Sequence, residues 1–227
     1  AHSFFKEVMV LEDMVVIAGN SNKPLAKSIA GFLGKNLGKA LVSHFCDGET
    51  RVELGENVRG KSVYIIQPTS FPANHHIMEA LVIADACNRA SAASVTLVSP
   101  YFGYARQERK NTPRSPISAK LVAELIEAAG INRILTMELH NVAIQGFFRI
   151  PVDHLFMSSV FAQNLKDLEE GVVIVSPDAG GVERARQIAK FFRCPLAVID
   201  KRRDRPNDVS VLNVIGEIEG KACLIID

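Results

Sequence analysis

Residues 100–110 read Pro-Tyr-Phe-Gly-Tyr-Ala-Arg-Gln-Glu-Arg-Lys and follow an apolar run, Ser94-Val95-Thr96-Leu97-Val98-Ser99. Three aromatics beside Arg106, Arg109 and Lys110 can stack on a base and neutralise phosphates. A solvated basic loop is the plainer alternative. Asp200-Lys201-Arg202-Arg203-Asp204-Arg205 is a second cationic group after a second apolar run. It reads as a polyphosphate clamp, as a solvated loop, or as a surface site for RNA. In Pro177-Asp178-Ala179-Gly180-Gly181 two glycines let backbone N–H groups face an anion, and Asp178 suits a hydrated Mg²⁺. A tight turn with a capping Asp explains the same residues. His140 ends an apolar run behind Glu138 and is either structural or a ligand for metal or phosphate. Neither G-x-x-x-x-G-K-[ST] nor G-x-G-x-x-G occurs, so a nucleotide would be held by another device. Cations with Mg²⁺ suit phosphoryl-type transfer, which needs alignment and charge neutralisation more than covalent help.

The elements that must position these groups alternate between strand and helix. Strands are expected at 14–18, 40–45, 51–54, 61–67, 94–99, 133–139, 151–156, 172–176, 196–199, 209–215 and 222–226. After the first strand, Asn20-Ser21-Asn22 and Pro24 start a helix reaching about Leu37, with Leu25, Ile29, Phe32 and Leu33 on one face. Asn74 is expected to cap a helix to Arg89, and His75-His76 take a surface or interface role. Helices are also expected at 117–129, 158–168 and from Gly181 to about Phe192, with one helical turn at 141–146. Asp47 and Glu49 fall in the turn Cys46-Asp47-Gly48-Glu49. The polar stretches 111–116 and 202–207 are expected to be mobile without ligand. In open α/β sheets ligands bind past the carboxyl ends of strands, so both cationic groups, His140 and Asp178 are expected along such an edge. A strand–helix–strand unit ending in cations occurs twice, with crossovers long enough for parallel strands. The reading is α/β, in two halves of similar design: 1–150 and 151–227.

Composition sets wide bounds. A 227-residue chain that is 48% hydrophobic and 22% charged, with net charge +1, has ample core and no global basic excess pointing to nucleic acid. No apolar run approaches the roughly 20 residues of a membrane span, and no signal core follows the N-terminus. Cys46, Cys87, Cys194 and Cys223 are far apart, so they read as reduced core or near-core thiols in a cytoplasmic protein.

Taken together, Phe45-Cys46-Asp47-Gly48-Glu49, the stretch 100–110, Ile144-Gln145-Gly146-Phe147-Phe148 after His140, the stretch 176–181 and Asp200-Lys201-Arg202-Arg203 resemble the ribose-phosphate diphosphokinase (phosphoribosyl pyrophosphate synthetase) family, from about Val15 to Asp227. The resemblance implies two phosphoribosyltransferase-type domains with mainly parallel sheets, the second incomplete. It implies diphosphate transfer from Mg-ATP to the C1 hydroxyl of ribose 5-phosphate, releasing AMP, for nucleotide biosynthesis. Phe45 would pack on adenine, and Asp47, Gly48 and Glu49 would form the turn that reads its edge. Arg106 and Gln107 would hold ATP, and His140 and Asp178 would bind Mg²⁺. Lys201 and Arg203 would steady the transferring group, with Lys201 central. Arg203 and Asp227 would belong to the ribose 5-phosphate site. Homo-oligomers, dimers and commonly hexamers, are implied, with no nucleic-acid or membrane partner. Glu138 and Glu108 stand where the family usually has Asp, and Asn141-Val142-Ala143 is unusual. The family continues past Asp227 with a second Asp and a Thr- and Gly-containing loop for the 5-phosphate, so the chain is expected to be C-terminally incomplete. The alternative is a non-catalytic relative, or inactive truncated form, that binds active subunits.

Overall fold

The computed structural model describes residues 13–165, 171–205 and 208–227, excluding the side chains of 159, 162 and 201–212. The chain divides into two units, one ending at Leu155 and one beginning at Phe156. The division falls a few residues beyond the boundary expected at Pro151, because the short strand there belongs to the first sheet.

In the first unit β1 (Met14–Ala18), β4 (Ser62–Ile66), β5 (Ser94–Ser99), β6 (Arg133–Met137) and β7 (Val152–Leu155) form one sheet in that order. Every pairing in it is parallel. Parallel strands are covered on both faces, which explains near-continuous apolar runs such as Val95, Leu97 and Val98, all buried. The covering helices are α1 (Lys23–Phe32), α2 (Ala73–Arg89) and α3 (Ser118–Ala128). A separate antiparallel hairpin pairs β2 (Ala40–His44) with β3 (Thr50–Leu54).

The start of α1 is as expected: the Asn22 side chain accepts from Leu25 N at 3.0 Å, and a proline occupies the first turn. Its end is not. The helix stops at Phe32, and Gly34 takes φ +65° just beyond it. Ala26 and Ala30 are its buried residues, while Phe32 is 93% exposed, so the expected apolar face is misplaced by about one position. Asn74 does not cap α2 either; Pro72 precedes that helix with no side-chain cap.

In the second unit β8 (Val173–Ser176), β9 (Leu196–Arg205), β10 (Asp208–Ile215) and β11 (Cys223–Ile225) form a sheet in the order β10-β9-β8-β11. β8, β9 and β11 run parallel, and β10 returns antiparallel to β9. Short α4 (Ser158–Asn164) and α5 (Val182–Phe192) accompany it. The expected helix past Asn164 runs into 166–170, outside the described residues. The expected loop after Ile199 is corrected: the backbone continues as strand to Arg205, held by the register Lys201↔Val211 and Arg202↔Ser210. Residues 206–207 lie outside the described residues.

All four cysteines are free, but Cys46 and Cys223 are exposed rather than near-core. Cys87 is buried, and desolvation pushes its thiol up to about 11. Among the described residues no helix is long and apolar enough to cross a membrane.

Candidate active site

The loops that follow β5 and β6 at their carboxyl ends carry the first unit's candidates. After Ser99 the chain turns sharply. Gly103 is required there: its N–H donates to Thr69 Oγ1 at 2.7 Å, and an added Cβ would lie 2.5 Å from the Thr69 carbonyl oxygen. Phe102 is buried, packing edge-on against Phe148 at 5.7 Å between ring centroids. Tyr104 sits at φ +63° and donates its hydroxyl to Asn74 Oδ1. The expectation of three stacking aromatics is therefore corrected. Phe102 is core and Tyr104 is a tether, so Tyr101, 53% exposed, is the one presented to solvent.

These constraints deliver Arg106 and Gln107 to the surface. Gln107 is also fixed from below: Ser118 Oγ donates to its Oε1 at 2.6 Å, and Ala119 N donates to its carbonyl at 3.2 Å. Its amide nitrogen is the end left for a ligand. Arg109 leans on Glu108 at 3.6 Å, which diverts part of its charge. Segment 111–116 is exposed apart from the half-buried Ser115.

His140 is exposed just past the end of β6. Its position is set by neighbours on both sides. Leu139 is buried and donates its N–H to His154 Nε2 at 3.0 Å, while Asn141 accepts from Ala143 N at 2.9 Å and so starts the 3₁₀ helix Val142–Phe147. Burial holds His154 below the ordinary imidazole range, and the Glu138 carboxylate opposes this. Glu138 itself adopts φ +43°, a left-handed conformation uncommon for a residue with a Cβ.

The hairpin turn carries the remaining candidates of this unit. Phe45 and Glu49 close it through Phe45 N to Glu49 O at 2.8 Å, and Gly48 takes φ +92°. Asp47 Oδ1 accepts from Glu49 N at 3.1 Å. Phe45 is 51% exposed, with the Arg51 guanidinium 5.8 Å from its ring centroid. Asp47 and Glu49 are exposed.

The second unit gathers its candidates on the carboxyl edge of its own sheet. Gly181 N donates to Asp178 Oδ1 at 3.0 Å, and Ser176 Oγ donates to the Asp178 carbonyl at 2.8 Å. Asp178 is thus a turn-capping residue, with its other carboxylate oxygen available for a ligand. The capping reading is the one the hydrogen bonds show. Ser176 pairs with Val198 on β9, two residues before Asp200, and Ile226 N donates to Val175 O, which carries Asp227 to the same edge. Lys201 and Arg203 follow on β9, but their side chains lie outside the described residues.

Two such α/β units, each built on a mainly parallel sheet, define the phosphoribosyltransferase class. Residues 14–130 match the N-terminal domain of ribose phosphate pyrophosphokinase, and 156–227 match the phosphoribosyl transferase domain. The chain is 56% identical to a ribose-phosphate pyrophosphokinase of Rhizobium meliloti, over 94% of this chain and 70% of the relative. For the Staphylococcus epidermidis enzyme of that name the figures are 50%, 94% and 68%. The crystal structure of phosphoribosylpyrophosphate synthetase from Mycobacterium smegmatis superposes with a TM-score of 0.86 at 35% identity, covering 94% of this chain and 70% of that one. The chain belongs to the ribose-phosphate pyrophosphokinase family, a family of enzymes that are kinases within the transferases.

Sequence reasoning missed one grouping. His44, at the end of β2, meets His75 and Glu79 of α2. The His-x-x-x-Glu spacing on one helix face was the available signal.

Proposed function

We propose that the chain carries the ribose-phosphate pyrophosphokinase reaction of nucleotide biosynthesis, with Mg-ATP as diphosphate donor and ribose 5-phosphate as acceptor. The observation that carries this reading is the edge of the second sheet, where the Asp-Ala-Gly-Gly turn, the Lys201 strand and Asp227 lie together within one phosphoribosyltransferase unit. The C1 hydroxyl oxygen forms a bond to the β-phosphorus of ATP. The bond from that phosphorus to the α–β bridging oxygen breaks, AMP leaves with that oxygen, and the hydroxyl proton passes to solvent.

Protein groups contribute mainly position and charge. Phe45 stacks on adenine while the Asp47-Gly48-Glu49 turn reads its edge, and Arg106 and the Gln107 amide hold ATP. Lys201 and Arg203 are the catalytic cations that neutralise the transferring group. Arg203 and Asp227 hold ribose 5-phosphate. Asp178, which keeps one carboxylate oxygen beyond the Gly181 bond, and the exposed His140 would be the Mg²⁺ ligands, each suited to the ion by its own chemistry, with phosphate oxygens of the substrate completing the shell. When bound, the ion supplies charge neutralisation on the phosphates. Self-association into dimers and hexamers and a cytoplasmic setting complete the proposal.

The test is AMP release by the complete gene product, measured with and without ribose 5-phosphate and Mg²⁺. Release that needs both is expected. ATP binding with no release would overturn the reading in favour of a non-catalytic relative that regulates active subunits.

A further inference from the structure

Glu79 is fully buried on α2, yet carries a carboxylate. Burying such a group is costly unless it is bonded, and here N–H donors hold it in one orientation. Asn20 N and Gln67 Nε2 donate to Oε2 at 3.0 and 2.7 Å, and Asn20 Nδ2 donates to Oε1 at 2.6 Å. Oε1 keeps a second lone pair, and facing it is His44 Nε2 at 3.6 Å. That distance is too long for a hydrogen bond. His75, one helical turn before Glu79, stacks beside His44 with 4.1 Å between ring centroids. Among the described residues the His75 ring makes no hydrogen bond. One ligand atom from each of the three side chains lies within 4.8 Å of the others.

We propose that His44, His75 and Glu79 form a site for a divalent ion of the zinc class, with two imidazole nitrogens, one carboxylate oxygen and a water. Metal–nitrogen and metal–oxygen bonds of roughly 2.0–2.2 Å, spanning the His44–Glu79 separation, subtend about 120° at the ion, between tetrahedral and trigonal geometry. Closing the widest gap to the roughly 3.3 Å edge of a zinc tetrahedron takes rotation of two solvent-reachable imidazoles, while the carboxylate is already fixed. Two nitrogens select against Mg²⁺, which prefers oxygen, so the site is chemically distinct from the proposed Mg-ATP site. The ion would fasten the end of β2 to α2. His44 directly precedes Phe45, so the fastening would hold the hairpin turn at its base.

The test titrates the metal-free chain, without ATP, with Co²⁺ and with Zn²⁺ against a competing chelator. One ion per chain is expected, with the intense visible absorption of four-coordinate Co²⁺. His44→Gln and His75→Gln should each weaken binding at least about tenfold, whereas Cys46→Ser, which alters a neighbouring exposed thiol, should not change it. Both histidines have solvent-reachable rings, so the result does not depend on Glu79→Gln folding. Absence of binding at micromolar ion, binding indifferent to both histidine variants, or binding lost with Cys46→Ser would each overturn the assignment.

Discussion

Each unit sets a turn after a buried strand; both turns carry one local bond, from Ser99 Oγ to the Tyr101 carbonyl and from Ser176 Oγ to the Asp178 carbonyl, and they differ in what else holds them. In the first unit the turn after β5 is tied to distant partners: Gly103 to Thr69, Tyr104 to Asn74, Gln107 to Ser118. In the second, the turn after β8 is tied to itself, through Ser176 to Asp178 and Gly181 to Asp178. Beyond that local bond, the first turn depends on the surrounding fold for its shape. The second carries its shape in its own short sequence, as Asx-type turns do. A change in the first should therefore disturb stability and ligand contact together, whereas the second unit's chemistry should be removable without unfolding.

The largest effect that would sharpen this contrast is Lys201→Ala. Under the proposed reaction, turnover should fall about 10²–10³-fold, because the cation acts on charge that develops at the transition state. ATP affinity and the unfolding midpoint should stay near wild type. Equal losses of turnover and affinity would contradict the assigned role. Next in size is a glycine pair. Gly103→Ala drives a methyl against the Thr69 carbonyl and should cost about 1–3 kcal/mol in urea unfolding. Gly180→Ala, whose Cβ would meet only Asp178 Oδ1 at 3.3 Å, should cost well under about 1 kcal/mol. Similar destabilisation by both substitutions would erase the distinction between the turns.

The same contrast explains what was legible in the sequence. The turn 177–181 could be read from its residues alone, because Asp and Gly there bond to near neighbours. So could the parallel strands, whose apolar runs are local signals. Phe102 and Tyr104 misled because their roles come from Phe148 and Asn74, distant in sequence and brought close by folding. The length of β9 was misread for a related reason. A run of cations looks like a loop until β10 pairs with it and satisfies its backbone. The His44–His75–Glu79 group was legible only in part: His75 and Glu79 stand one helical turn apart in sequence, whereas His44 joins them from β2 only through folding.

A smaller effect isolates one tether. Tyr104→Phe keeps the ring and removes the hydroxyl that reaches Asn74. A loss of about 0.5–1.5 kcal/mol is expected, read from the urea midpoint. If Asn74→Ala in the Tyr104→Phe background costs as much as it does alone, the two side chains act independently and the tether is discounted.

The smallest effect is a pH dependence at the other first-unit tether, which precedes His140. His154 Nε2 accepts the Leu139 N–H at 3.0 Å, a bond that requires the neutral imidazole. Burial lowers its folded pKa, and Glu138 opposes that shift without reversing it. The unfolded chain takes up this proton near about pH 6.5, and the folded chain does so only at lower pH. Between those values the unfolded state binds more protons, so stability rises with pH. The contribution is complete above about pH 6.5 and is lost as pH falls through the folded value. Carboxylates titrate in neighbouring ranges, so the informative quantity is the wild-type unfolding free energy minus that of His154→Gln, followed downward from about pH 7.5. That difference should shrink as the solution is acidified, because Gln keeps an acceptor and takes up no proton. A difference that stays flat across the window would show that the Leu139 contact does not depend on imidazole charge, and the first unit's tethers would then be steric rather than electrostatic.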